Sequence, residues 1–289
     1  MRITTLTLLA GLLLAPLTDL FAQQPAKFYT KAQIESYTRY TRIKGALKES
    51  GNVRFLDLSF HTMHEVPVTV ASFKYCLYFN FANNQVQYLP SNVFDMLHLQ
   101  YLNGSNNLIS SLPNEIDRLQ HLQELDLGFN RLKSVPKQLS SLPYLRRLML
   151  NNNLLSAIPS DLGGISSLKE LDLSINSMQR LPEAIGRLDS LERLNLSYNF
   201  LEELPEGIGG LKNLKVLDLR GNRLKELPDS ICALENLEFL DLRKNQLKTL
   251  PRQISRLENL KVLYLKGNRI TKKQQLYIRQ RLPNIEIKF

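Results

Sequence analysis

Residues 122–145 read LQELDLGFNRLKSVPKQLSSLPYL, and the apolar spacing changes partway along them. Leu125 and Leu127 alternate with polar neighbours at period two, the pattern of a short strand. Leu139, Leu142 and Leu145 recur every three residues, as in a helical or 3-10 turn. The stretch is therefore one strand, a turn and a helical return, and Leu145 opens the next copy. A unit this small cannot bury both of its apolar edges, so it has to lean on neighbours of the same kind.

Those neighbours are present in strict register. Asn84, Asn107, Asn130, Asn153, Asn176, Asn199, Asn222, Asn245 and Asn268 recur every 23 residues, and prolines from Pro67 to Pro251 keep the same step. Each of these prolines follows Val, Leu or Ile. Stacked units place their strands in one parallel sheet over a continuous leucine core, which makes the chain an α/β solenoid. The asparagine row is structural, because an amide offers both donors and an acceptor to backbone groups where the chain leaves a strand. Proline suits the return, where its fixed φ helps and its missing N–H is not needed.

The pattern LxxLxLxxNxLxxLPxxIxxL resembles the leucine-rich repeat in its 23-residue form, over about residues 53–289. It is similar to the repeats of secreted bacterial leucine-rich proteins and of intracellular Ras-group proteins. The resemblance implies a curved horseshoe of ten repeats plus a closing strand. A concave parallel β-sheet would bind macromolecules, with helical or 3-10 returns on the convex side. The cysteine-rich caps of animal extracellular relatives are missing, which favours a bacterial secreted protein.

The ends differ from the middle. Residues 1–22 carry Arg2, an apolar run from Leu6 to Leu17 and a short segment ending at Ala22, which reads as a signal peptide. The run falls short of the roughly 20 residues of a spanning helix, and no other segment is suited to cross a bilayer. Residues 23–52 place Ile34, Tyr37, Tyr40, Ile43 and Leu47 at mostly helical spacing, so an amphipathic helical cap is expected. Repeat one has His61 at the asparagine position. At the other end Leu282, Ile285 and Ile287 repeat the strand pattern after a basic segment, Lys272 to Arg281. Cys76 and Cys232 stand about six repeats apart, roughly 29 Å at 4.8 Å per strand, too far for a disulfide.

The net charge of +10 is concentrated at the ends: residues 251–289 carry +8, residues 1–52 carry +4, and residues 151–250 carry −3. The basic C-terminal end suits either a solvated cap or attraction to an anionic glycan or envelope surface. In parallel in-register strands, equivalent positions become surface rows about 4.8 Å apart. One row runs Phe55, Tyr78, Tyr101, Glu124, Arg147, Glu170, Arg193, Val216, Phe239 and Val262. It divides into an aromatic zone, an alternating Glu/Arg zone suggestive of cross-strand ion pairs, and an apolar zone. A second row from Asp57 to Tyr264 is mostly acidic or amide, and a third turns cationic only at Arg220, Arg243 and Lys266.

Two candidate ligand sites follow. The leading one is the convergence of Arg220, Phe239, Arg243, Tyr264 and Lys266, because aromatic and arginine side chains dominate binding hot spots. The simpler alternative there is compensation of Asp218 and Asp241 by the arginines of the same strands. The second is the row Phe55, Tyr78 and Tyr101, with Phe60 and Phe129 nearby, which suits stacking on sugars or a protein side chain but also plain cross-strand packing.

Nothing points to catalysis. His61, His64, His98 and His121 fit no nucleophile, metalloprotease or phosphate-loop motif, and Gly207, Gly209 and Gly210 sit in a return rather than a dinucleotide loop. No cofactor, metal or nucleic-acid partner is read. The expected function is an exported, non-catalytic module that binds a protein through its concave face. Binding of anionic glycan or envelope surface through the basic end is the alternative. An intracellular scaffold of the Ras-group type is another, if residues 1–22 are not cleaved.

Overall fold

Twelve strands lie in sequence order in one sheet, every neighbouring pair parallel, in the computed structural model, which describes residues 27–289. The expected signal peptide, residues 1–22, lies outside the described residues. The first strand, β1 (Arg39–Tyr40), precedes β2 (Phe55–Asp57), and three-residue strands follow at 23-residue steps from β3 (Tyr78–Asn80) to β11 (Val262–Tyr264). Among them are β6 (Arg147–Met149), β9 (Val216–Asp218) and β10 (Phe239–Asp241), and the sheet closes with β12 (Glu286–Lys288). Register is without slip, with Leu102, Leu125, Leu148 and Leu171 as successive Cα partners. Pairing also runs past the strands: the Leu127 N–H donates to the Met149 carbonyl at 2.9 Å, and that of Phe129 to Asn151 at 2.8 Å.

The asparagine row holds this turn together as its chemistry implies. Asn130 Nδ2 donates to the carbonyls of Gly104, Leu127 and Gly128 at 3.0, 3.1 and 3.2 Å, and its Oδ1 accepts from the Ile109 N–H at 2.9 Å. The same set recurs at Asn107, Asn153, Asn176 and Asn199. Each amide thus ties its own turn to the preceding one, and those in the middle of the stack are buried.

Each return starts at a proline whose carbonyl opens a 3-10 turn. The Leu139 N–H donates to Pro136 at 3.2 Å, and residues Lys137–Ser141 form the turn. Five residues suffice to bring the chain back under the sheet. Neighbouring returns approach so closely that Gly207, Gly209 and Gly210, read as loop glycines, prove to be contact residues. A Cβ at Gly209 would lie 2.5 Å from the Ser230 carbonyl oxygen, and one at Gly210 2.4 Å from that of Gly186.

The core runs the length of the stack, with Leu122, Leu125, Leu127, Leu132, Leu139 and Leu145 all fully buried in the quoted repeat. Full burial stabilises by about 1.5–3 kcal/mol per such side chain. Toward the N-terminus the leucines give way to Phe73, Phe79, Phe81 and Phe94. There Gly104 occupies a leucine position, and its missing side chain is replaced by the Phe81 ring, whose Cζ would lie 2.3 Å from a Cβ at Gly104.

Both caps differ from the sequence expectation in detail. The N-terminal region is not one amphipathic helix: α1 (Lys31–Glu35), β1, α2 (Ile43–Ala46) and a 3-10 segment (Leu47–Asn52) follow one another. The apolar spacing is split between two surfaces, since Ile34 is fully buried whereas Tyr37 and Leu47 are largely exposed. Thr30 caps α1 reciprocally with Gln33. The cap adds a strand to the sheet, β1 pairing Arg39 with Phe55, and the Arg39 guanidinium is paired with the buried Asp57 carboxylate. At the other end Lys272–Arg281 is a helix, α3, and Leu282 belongs to its buried end rather than to the closing strand. The strand itself is Glu286–Lys288, with Ile287 opposite Leu263.

Candidate functional site

Strand alternation sends the central leucine of each strand into the core and the residues on either side outward, onto the sheet face. On β10 and β11 these outward residues are Phe239, Asp241, Val262 and Tyr264. Phe239 and Tyr264 meet edge to face with centroids 5.4 Å apart. The Arg243 Cζ lies 4.8 Å over the Tyr264 ring, and Lys288 Nζ of β12 lies 4.9 Å over it and 3.4 Å from its hydroxyl.

Arg243 is held in place. Asp241, 1% exposed, accepts from Arg243 Nε at 2.9 and 3.0 Å, from Nη2 at 2.5 Å and from the Arg243 backbone N–H at 3.0 Å. That pairing lifts the guanidinium pKa above its ordinary value. Arg220 repeats the arrangement on Asp218, 3.2 Å side chain to side chain, and stacks 5.3 Å over Tyr198. The compensation expected between arginines and aspartates of the same strand is therefore formed, and it orients the arginines. Burial raises the Asp218 pKa against the pull of Arg220.

The acidic row has a structural origin. Asp57, Asp126, Asp172, Asp218 and Asp241 each accept from the backbone N–H two residues on, which turns the chain out of the strand. Of the expected site residues, Phe239 and Arg243 both meet Tyr264, Arg220 lies two strands from Tyr264, and Lys266 is exposed. Lys288 was missed in the sequence, because β12 pairs at a 24-residue step, Tyr264 with Lys288, outside the 23-residue register.

The aromatic row is largely covered, although Tyr78 and Tyr101 border a cavity with Lys31, Glu124 and Arg147. Phe55, Tyr78 and Tyr101 are 7, 8 and 7% exposed and form a cluster with Ile34 and Leu77. The chain from Lys27 to Lys31 crosses this part of the face. The Tyr29 N–H donates to Gln100 Oε1 at 2.9 Å, Gln100 Nε2 donates to the Lys27 carbonyl at 2.8 Å, and the Tyr101 hydroxyl donates to the Tyr29 carbonyl at 3.0 Å. Burial pushes the Tyr78 hydroxyl up to about 12. The reading of these rings as a ligand platform is corrected: they are the packing surface of the N-terminal segment. Phe60 and Phe129 do not join them, being exposed at the exits of their strands.

The alternating Glu/Arg row makes only one contact, Arg147 to Glu170 at 3.2 Å. The ion-pair ladder lies one position earlier, where Glu192 bridges Lys169 and Lys215 at 3.3 and 2.8 Å and Glu238 meets Lys261 at 2.5 Å. Lys215, followed by Lys169, lowers the Glu192 pKa. The signal was in the sequence, as alternation of Lys and Glu at 169, 192, 215, 238 and 261.

His98 and His121 are stacked with centroids 5.9 Å apart, and each Nδ1 donates to a return carbonyl, Lys74 at 2.9 Å and Leu97 at 2.8 Å. Among the described residues no group of three or more His, Cys, Asp or Glu is placed to hold a metal ion. Cys76 and Cys232 are buried, with thiols pushed up by burial to about 12 and about 11, unlike a reactive thiolate. No helix among the described residues is long and apolar enough to cross a membrane.

Known proteins match this picture. The family model described as a leucine-rich repeat region matches residues 52–197, and two further leucine-rich repeat models match 189–233 and 212–270. No curated protein matches the chain. Among solved structures, the chain is similar to the ectodomain of the plant membrane receptor kinase GASSHO1/SCHENGEN3 from Arabidopsis thaliana, in complex with Casparian strip integrity factor 2. Identity is 30%, the TM-score is 0.58, and the match covers 77% of this chain and 31% of that one. It is also similar to a TDR receptor, at 25% identity and a TM-score of 0.69, over 87% of this chain and 50% of that one. A leucine-rich repeat protein of Leptospira interrogans matches at 26% identity and a TM-score of 0.38, over 87% of this chain and all of that one. The chain thus spans a third to a half of the two receptor structures it resembles.

Proposed function

The chain belongs to the leucine-rich repeat family, and on that premise we propose that it is an exported, non-catalytic binding module that engages a protein through the C-terminal part of its sheet face. The supporting observation is the contrast along that face. Its first strands are covered by residues 27–34, whereas no described residue crosses the face over β9 to β11. There Phe239, Tyr264 and an arginine already oriented by Asp241 stand together. Pre-ordered aromatic and arginine side chains lose little freedom on binding, which is the economy of a hot spot. The similar receptor ectodomain, of the same fold, was solved in complex with Casparian strip integrity factor 2. Export rests on the composition of residues 1–22.

The double variant Phe239→Ala/Arg243→Ala is expected to weaken capture of the protein partner from native envelope and medium extracts by about tenfold or more. Equal capture by both forms, identified by mass spectrometry, would remove the site.

One observation favours a second reading. Lys272, Lys273, Arg279 and Arg281 of α3 are all exposed, next to Lys266 and Arg269. Binding of an anionic glycan or envelope surface there would fall steeply as salt rises, whereas the sheet-face contact would not.

A further inference from the structure

The residue before each ladder asparagine leaves its strand with a left-handed backbone. The φ angle is 57° at Asn83, 54° at Asn106, 52° at Asn152, 72° at Gly221 and 80° at Gly267. Asparagine and glycine are the residues that tolerate this region. Five repeats break the rule: Phe60 and Lys244 hold φ of 59° and 54°, and, within four consecutive repeats, the apolar or aromatic Phe129, Ile175 and Tyr198 hold 56°, 54° and 54°. A β-branched isoleucine there is strained.

Packing compensates only in part: these three side chains are 50, 46 and 42% exposed, although the Tyr198 ring lies close over Gly221 of the next repeat. Leu154 and Phe200, just beyond their own ladder asparagines, are 49 and 41% exposed. The turns are lateral neighbours, because the N–H groups of Phe129, Asn152, Ile175 and Tyr198 donate to Asn151, Ser174, Ser197 and Arg220 of the next repeat. The five apolar side chains therefore make one strip across four repeats, at the strand exits and beside the sheet face. Backbone strain and exposed apolar area are both unfavourable to folding in water, and together they mark a surface kept for contact.

The rim of the strip is cationic. The Arg223 guanidinium lies 4.6 Å over the Phe200 ring, Lys244 and Arg220 lie 5.7 and 5.3 Å over Tyr198, and Arg131 is exposed next to the ladder residue after Phe129. Of the acidic residues just after Phe200, Glu203 is taken by Arg180 at 3.6 Å. We infer that the strand-exit strip is a second docking surface, taking a protein segment whose apolar or aromatic side chains are interspersed with Asp or Glu. Charge complementarity selects that occupant, because the arginines already stack on the rings the segment would touch.

The test uses peptides selected from a random displayed library against the purified protein, and the variant Phe129→Asn/Ile175→Asn/Tyr198→Asn. Each substitution installs the residue that sister repeats use. Selected peptides are expected to be rich in apolar and acidic residues and to bind the variant about tenfold or more weakly. The variant's Tm is expected to rise by about 3 °C or more as the strain is relieved. Peptide binding is expected to survive in Phe239→Ala/Arg243→Ala, so the two surfaces fail separately. A lower Tm would overturn the inference, since the side chains would then serve folding. Unchanged peptide binding by the variant would also overturn it, as would a library that yields no binder. Self-association of the native protein that the variant abolishes, seen by sedimentation, would assign the strip to a second copy of this chain instead.

Discussion

Asn176→Ala is expected to lower the unfolding free energy by about 2–3 kcal/mol, a loss well beyond that of an ordinary surface substitution. The side chain is 6% exposed, and its Nδ2 donates to the carbonyls of Leu150, Leu173 and Ser174 at 2.9, 3.0 and 3.2 Å. Its Oδ1 accepts from the Leu155 N–H at 2.9 Å. The Ser174 carbonyl keeps a second donor, the Asn152 N–H at 2.8 Å, so its loss is mild. The Leu150 and Leu173 carbonyls likewise keep Asn153 Nδ2 at 3.1 Å and Asn199 Nδ2 at 2.9 Å, so the Leu155 N–H is the group left buried and unpaired, at about 1–3 kcal/mol. The same change at half-buried Asn268, near the end of the stack, is expected to cost less, because water reaches the freed groups. Denaturant unfolding of the two variants measures the difference. Equal, small losses would mean that the ladder is not what fastens one turn to the next.

Gly186→Val is expected to be as damaging for a different reason. A Cβ at Gly186 would lie 1.8 Å from the Gly207 carbonyl oxygen and 2.7 Å from its carbon. The obstacle is backbone, so no rotamer change removes it, and adjacent returns would have to separate. Overpacking of that kind costs about 3 kcal/mol or more. Because neighbouring repeats depend on one another, the separation opens the core beneath the returns. Gly45→Ala is the matched control. Nothing lies within 4 Å of a Cβ there, and the residue sits in α2, where alanine stabilises by up to about 1 kcal/mol. Thermal unfolding should therefore move in opposite directions for the two variants.

Sheet, register, ladder and returns were legible because each follows from a residue type repeated every 23 positions, and repetition turns a weak local preference into a certain one. The left-handed turn went unread, although Asn83, Asn106, Asn152, Gly221 and Gly267 stand before the ladder residue, because Phe60, Phe129, Ile175, Tyr198 and Lys244 interrupt that column. Contacts made by residues outside the repeat were not legible either. Phe55, Tyr78 and Tyr101 look identical in sequence whether open or covered, and what covers them, Tyr29 and Ile34, belongs to no column. For the same reason Lys288 on Tyr264 could not be foreseen, whereas Arg243 on Asp241 could, two residues apart on one strand. The splitting of the N-terminal cap into helix, strand and helix came from a spacing that serves two surfaces at once.

Amide hydrogen exchange of the protein with and without its captured partner tests the proposed function most directly. Protection is expected around 216–220, 239–243 and 262–266, with none added at Phe55, Tyr78 and Tyr101, which are already covered in the free chain. Protection confined to the convex returns, or appearing first over the N-terminal strands, would contradict the assignment of the binding face.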